Sequence, residues 1–151
     1  MIFLRTHLSE GSAMRKRKHL EQIRKEVNNS PYYQLLGMEV IEIKKGESKV
    51  QMPFKQGLTH PYGIAHGGAI ASLADSGVAL ALISLVDPKD RIATIEFKIN
   101  FFAPISKGIL EAHTKIIHKG SKTAVGDVEV KNEEGKLVAK LIATYSIKKG
   151  D

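Results

Sequence analysis

Apolar residues recur along the chain first at helical spacing and later at strand spacing. Leu20, Ile23 and Val27 stand three and four apart among charges, which predicts a short amphipathic helix over 14–27. Asn28-Asn29-Ser30-Pro31 ends it, because asparagine and serine favour caps and turns and proline cannot continue the ladder. Pro31 to Leu36 reads as one more helical turn before Gly37. Met1 to Ser12 shows no period and is expected to be a loose extension, with Met14 a candidate start of translation.

Strand signals follow. Met38, Val40, Ile41 and Ile43 lead into a Lys45-Gly46-Glu47 turn, and Lys49-Val50-Gln51-Met52 returns as a hairpin partner. Ala69 to Val86 is then almost wholly apolar and reads as a core helix carrying Asp75 and a few serines. After a turn at Asp87-Pro88-Lys89-Asp90, Thr94 to Phe101 alternates strictly between polar and apolar, the period of a half-buried strand. Gly108 to His118 is another strand, and Thr123–Val130 with Leu137–Ile147 form a hairpin closed at Asn132-Glu133-Glu134-Gly135. A helix apolar all round must be covered on every side. An antiparallel sheet curled around it, with a second subunit over the remainder, meets that demand, so the fold class is α+β with the helix as filling. The domain reading is 1–30 as an extension with a short amphipathic helix and 31–151 as the functional domain.

At 151 residues the chain has room for one core. It holds no cysteine, which excludes disulfides, thiolate metal sites and thiol nucleophiles and fits a reducing cytosol. No apolar run has the length and flanks of a signal peptide or membrane span, so the expectation is a soluble cytoplasmic protein without a membrane partner. Part of the net charge of +7 sits in Arg15-Lys16-Arg17-Lys18, with no aromatic beside it for base stacking. That run reads as a solvated helix face rather than a nucleic-acid site, although the excess charge assists capture of a polyanion.

The chemistry concentrates in His60-Pro61-Tyr62-Gly63-Ile64-Ala65-His66-Gly67-Gly68 and the helix it enters. The first amides of a helix lack internal acceptors and favour an anion or polarised carbonyl, and glycine permits close approach. The plainer reading is a tight turn with His66 as a structural histidine. Asp75 stands among Ile70, Leu73, Ala74, Val78, Ala79 and Leu82. It is either a carboxylate that activates water or attacks directly, or one tied to Ser72, Ser76 or a backbone amide. Gly67 and Asp75 lie eight residues apart, about 12 Å along the helix axis. One carbonyl cannot touch both within a chain, whereas a two-fold dimer with antiparallel helices joins them twice.

The segment HPYGIAHGGAIASLADSGVALAL resembles the signature of hotdog-fold acyl-CoA thioesterases of the phenylacetate-degradation (PaaI-like) type. The resemblance runs from about Pro31 to Ile147 and includes Phe102-Ala103-Pro104, the Lys119–Thr123 turn and Gly135-Lys136-Leu137-Val138-Ala139. It implies a sheet wrapped around the long helix and hydrolysis of an acyl-CoA, with CoA as part of the substrate and no cofactor or metal. It assigns the oxyanion to the Gly67 amide, the base or nucleophile to the partner's Asp75 and water positioning to Thr94. His66 would orient the loop, and Lys119, Gly120, Ser121, Lys122 and Thr123 would lie along CoA. It also implies a dimer as the minimum and a tetramer as the assembly. Relatives commonly carry asparagine six residues before the motif histidine; here the position is His60, a donor that can also titrate, or else an idle loop histidine. The alternatives are a non-catalytic acyl-CoA-sensing module, a hydratase or dehydratase, and a metal hydrolase using His60 and His66. The first lacks a DNA-binding segment, and the last lacks further ligands at usable spacing.

Overall fold

The computed structural model describes residues 3–151, and side chains from Glu10 onward. Two helices, α1 (Phe3–Asn28) and α2 (Pro31–Leu36), precede the hairpin β1 (Glu39–Lys44) and β2 (Glu47–Pro53). The long helix α3 (Gly67–Ile83) follows, then β3 (Arg91–Phe101), β4 (Ile109–Lys119), β5 (Thr123–Lys131) and β6 (Leu137–Lys148). All pairings are antiparallel, in the order β1-β2-β4-β5-β6-β3, and the sheet curls around α3 as the hotdog fold does. Among the described residues no helix is long and apolar enough to cross a membrane.

Helix α1 corrects one expectation. It begins at Phe3, eleven residues before the predicted start, through a segment expected to be loose. Leucine, arginine, alanine and methionine there are good helix formers and no proline interrupts them, so propensity extends the helix where periodicity fails. Met1 and Ile2 lie outside the described residues. The far end of α1 seals the sheet. The Asn28 side chain accepts from the Val40 amide at 2.7 Å and donates to the Val40 carbonyl at 3.5 Å, and Arg24 reaches the same carbonyl at 3.4 Å. Edge strand β1 is thereby bonded to side chains where another strand would pair.

Alternation along β2, β4 and β5 turns Val50, Met52, Leu110, Ala112, Val128 and Val130 inward against Leu73, Val78 and Leu82 of α3. Polar ties fix the depth of the helix. Ser48 Oγ donates to the Gly77 carbonyl at 2.7 Å, and Ser84 Oγ accepts from the Gly46 amide at 2.7 Å. Small residues let the layers close up. A Cβ on Gly77 would run into Thr114 Oγ1, and one on Gly126 would lie 2.6 Å from Val78 Cγ1.

Strand β3 differs from its reading as half-buried. Ile95 is 57% exposed, Phe97 40% and Phe101 49%. The alternation is present and Ile99 packs against the core, but β3 is an edge strand, and among the described residues nothing covers Ile95, Phe97 and Phe101 fully.

The Gly126–Val78 contact gives a stability test. Gly126→Ala should cost about 1–3 kcal/mol through overpacking. Val78→Ala in the same chain should recover part of that loss, because the two side chains would compete for one space. Urea denaturation at one fixed protein concentration measures both, and strictly additive losses would show that the residues do not meet.

Candidate active site

The loop before α3 is a closed turn. Pro61 and Gly63 take the positions a type I turn favours, with Gly63 N–H donating to the His60 carbonyl at 2.9 Å and Gly63 at φ 79°. His60 N–H donates to the Ile64 carbonyl at 3.0 Å, while Ala65 N–H and His66 N–H reach Ile105 and Leu58 carbonyls at 2.7 Å each. The His60 ring is fixed as well. Its Nδ1 accepts from the Tyr62 amide at 3.0 Å, and the ring stands edge-on to Tyr62 with centroids 5.3 Å apart. A neutral ring held this way carries its proton on Nε2, so His60 is a donor at that atom.

His66 is the N-cap of α3, and its Nδ1 accepts from Gly68 N–H at 2.8 Å. The cap takes the Gly68 amide and leaves the Gly67 amide, which among the described residues has no acceptor. Gly67 and His60 line one open groove of about 370 Å³ with Ile64, Ile70, Phe101 and Ile105. The Phe101 ring lies so close that a Cβ on Gly67 would stand 3.0 Å from its Cζ. A side chain there would make the exposed Phe101 ring give way by a few tenths of an ångström, so glycine eases both space and access.

Asp75 sits two turns further along and is half-buried rather than enclosed. Its partners are not the serines of its own helix. Thr94 Oγ1 lies 3.1 Å from Oδ1 and 3.2 Å from Oδ2, and the Tyr145 hydroxyl donates to Oδ1 at 2.7 Å. The same hydroxyl lies 2.9 Å from the Asp75 carbonyl oxygen. Ser72 instead donates to the Gly68 carbonyl and pairs with Tyr32. Tyr145 is buried, and burial pushes its hydroxyl far above the ordinary tyrosine range, with the Asp75 charge adding to the effect. It therefore stays a proton donor. Burial raises Tyr33 in the same direction, against its bond to Ser76.

The chain thus carries two separate groups. His60, His66 and Gly67 gather at the start of α3, and Asp75 and Thr94 gather at its middle. The Lys119–Thr123 segment forms the exposed β4–β5 turn, closed by Gly120 N–H to the Thr123 carbonyl at 2.8 Å. Pairing places it in register with the second group. Lys119 faces Ala124, Ala124 faces Tyr145, and Tyr145 faces Thr94, so the turn is about three strand spacings, roughly 14 Å, from Thr94. Among the described residues no three His, Cys, Asp or Glu side chains are placed to share a metal ion. Tyr145 escaped the sequence reading, since a tyrosine in an alternating strand is indistinguishable from core.

A curled antiparallel sheet around one helix makes this a hotdog-fold protein, and its similarities show of which kind. Residues 62–139, just over half of the chain, match the Thioesterase superfamily. A Saccharolobus solfataricus protein with a provisional esterase name is 36% identical over 130 residues, covering 86% of this chain and 91% of that one. The 1,4-dihydroxy-2-naphthoyl-CoA hydrolase of Listeria monocytogenes is 26% identical over 114 residues, 76% of this chain and 93% of that one. Among solved structures, a variant of the phenylacetic acid degradation protein PaaI from Thermus thermophilus superposes with a TM-score of 0.72 at 30% identity. It covers 78% of this chain and 98% of that one. The chain belongs to the thioesterase superfamily, and its chemistry is thioester hydrolysis.

The capping role of His66 is directly testable. His66→Ala removes the acceptor of Gly68 N–H and should lower stability by about 1 kcal/mol, while His66→Asn, a good cap, should recover most of it. Thermal unfolding of the two variants measures this, and equal losses would refute the cap.

Proposed function

We propose that the protein hydrolyses an acyl-CoA thioester to the free acid and CoA, in two equivalent sites shared between two copies of the chain. The observation that carries this is the separation of a bare Gly67 amide from a hydroxyl-held Asp75 along one helix. Neither group completes a site within its own chain. Edge strand β3 offers the means of joining them. Ile95, Phe97 and Phe101 on it are exposed, Phe101 lies against Gly67 at one end and Thr94 touches Asp75 at the other. Two β3 strands paired antiparallel about a centre near Phe97 and Lys98 would set Thr94 of each opposite Phe101 of the other, and so Asp75 opposite Gly67. The other sheet edge, sealed by Asn28, has no such opening.

In that arrangement the Gly67 amide polarises the thioester carbonyl and holds the oxyanion of the tetrahedral intermediate. Asp75 from the second copy takes a proton as water attacks the carbonyl carbon, Thr94 steadies the water, and collapse expels the CoA thiolate. Direct attack by Asp75 is the variant of this reading. His60 Nε2–H, aimed from the same groove, is a second donor for the carbonyl or the water, in the position where relatives carry asparagine. The apolar walls of Ile64, Ile70, Phe101 and Ile105 suit an uncharged acyl or aryl group. The lysines and amides of Lys119 to Thr123 suit CoA phosphates, and a net charge of +7 assists their approach. CoA enters as substrate, and no cofactor is called for. By the same likeness, two dimers associate as a tetramer.

Free-thiol release across an acyl-CoA panel tests the activity. Asp75→Asn should lower kcat by about 100-fold or more; an unchanged rate would remove Asp75 from the mechanism. Rates no better than buffer for the parent chain would favour an acyl-CoA-binding module. Shared sites predict complementation. Gly67→Val and Asp75→Asn chains, each inactive alone, should regain activity when unfolded together and refolded, because a mixed dimer contains one site with both groups intact. No recovery from a verified mixed dimer would place both groups in one chain's site. For His60→Asn, an activity that becomes less dependent on pH near neutrality would support participation, and an unaltered profile would exclude it.

A further inference from the structure

We propose that Tyr145 is a positioning residue for Asp75, anchoring Oδ1 so that Oδ2 is the oxygen that receives the proton from water. This rests on the reading of Asp75 as the catalytic carboxylate and goes beyond it by separating the roles of its two oxygens.

The geometry is asymmetric. Oδ1 has two hydroxyl partners, Tyr145 at 2.7 Å and Thr94 at 3.1 Å, whereas among the described residues Oδ2 has only the longer Thr94 contact at 3.2 Å. The hydroxyl proton of Tyr145 has one strong acceptor there, since the Asp75 backbone carbonyl is further away at 2.9 Å. That carbonyl contact matters in another way, because the same phenol oxygen then spans side chain and backbone of one residue and fixes the Asp75 rotamer. Tyr145 itself has little freedom. It is 3% exposed, on β6 between β5 and β3, and its neighbours in register are Ala124 and Thr94. Thr94, by contrast, lies on the outermost strand and is exposed. The interior therefore supplies the fixed donor, and the edge supplies the adjustable one.

The groups that face Asp75 are neutral. Tyr145 comes from β6, Tyr33 from α2 and Thr94 from β3, and among the described residues no Lys, Arg or His pairs with it. Such donors orient a carboxylate while its full charge remains, so Oδ2 keeps a lone pair for a proton. Losing one donor makes the ionised form less favourable, which an enzyme reports as a shifted acid limb.

Tyr145→Phe keeps the ring and removes only the hydroxyl. With Asp75→Asn inactive as the reference, kcat of Tyr145→Phe should fall about 10- to 100-fold through misorientation, with KM little changed. The acid limb of its kcat/KM profile should move up by roughly one pH unit. A ring that only fills the core would leave both unmoved, and a parental kcat and acid limb would overturn the proposal while leaving the Asp75 reading intact. An active Asp75→Asn would overturn both. If Tyr145→Phe does not fold, a Tyr33→Phe chain labelled with 3-fluorotyrosine tests the contact by fluorine NMR, the substitution removing the other tyrosine that faces Asp75. One tyrosine resonance should shift across the acid limb and stay still in Asp75→Asn, and the absence of such a resonance would refute the contact.

Discussion

The approach of α3 to the concave face of the sheet, at Gly77 and Val78 over Thr114 and Gly126, sets the placement of everything that follows. Gly77 has no room for a side chain against Thr114, and Gly126 has none against Val78, so at each point one layer's backbone takes the other layer's side chain. Ser48 and Ser84 then bind the helix to the first hairpin at that depth. At a larger separation the Tyr145 hydroxyl, which reaches up from β6, would not span to Asp75. The cost of such closeness is that any larger residue at these points forces a shift through a rigid core. The gain is that a carboxylate on a buried helix stands within hydrogen-bond reach of a strand.

The two edges of the sheet have opposite fates for related reasons. Strand β1 receives the Asn28 and Arg24 side chains where a neighbouring strand would bind, and the long helix α1 lies over it. Among the described residues nothing pairs with the outer edge of strand β3, and it carries Ile95, Phe97 and Phe101 in the open. One sealed edge and one open edge allow the sheet to continue in a single direction, which favours a closed pair over an indefinite stack. Because β3 also lies against Gly67 and Asp75, through Phe101 and Thr94, the exposed apolar surface is the one beside which both groups lie.

Most of this architecture is legible in the residues. The hairpins follow from Lys45-Gly46-Glu47 and Asn132 to Gly135, and the central helix follows from an apolar run too long for a strand. The separation of Gly67 from Asp75 along α3 follows from helix rise alone. What is hidden is whatever depends on non-local register or on cover. Thr94 to Phe101 alternates, and alternation names a face without saying what lies against it. Tyr145 acquires its meaning only when β6 is aligned between Ala124 and Thr94. The first residues of α1 contain good helix formers without a stripe, and a reading by periodicity passes over them.

The character of the Asp75 cluster bears on its chemistry. Pairing this carboxylate with lysine or arginine would stabilise it more strongly, but would also oppose its taking up a proton. Two neutral hydroxyls orient it with less opposition than a full positive charge would bring. In the proposed mechanism a carboxylate so held accepts a proton from water as the thioester carbonyl is attacked, which requires the Gly67 amide to be free. The His66 cap meets that second condition by engaging Gly68 and sparing Gly67.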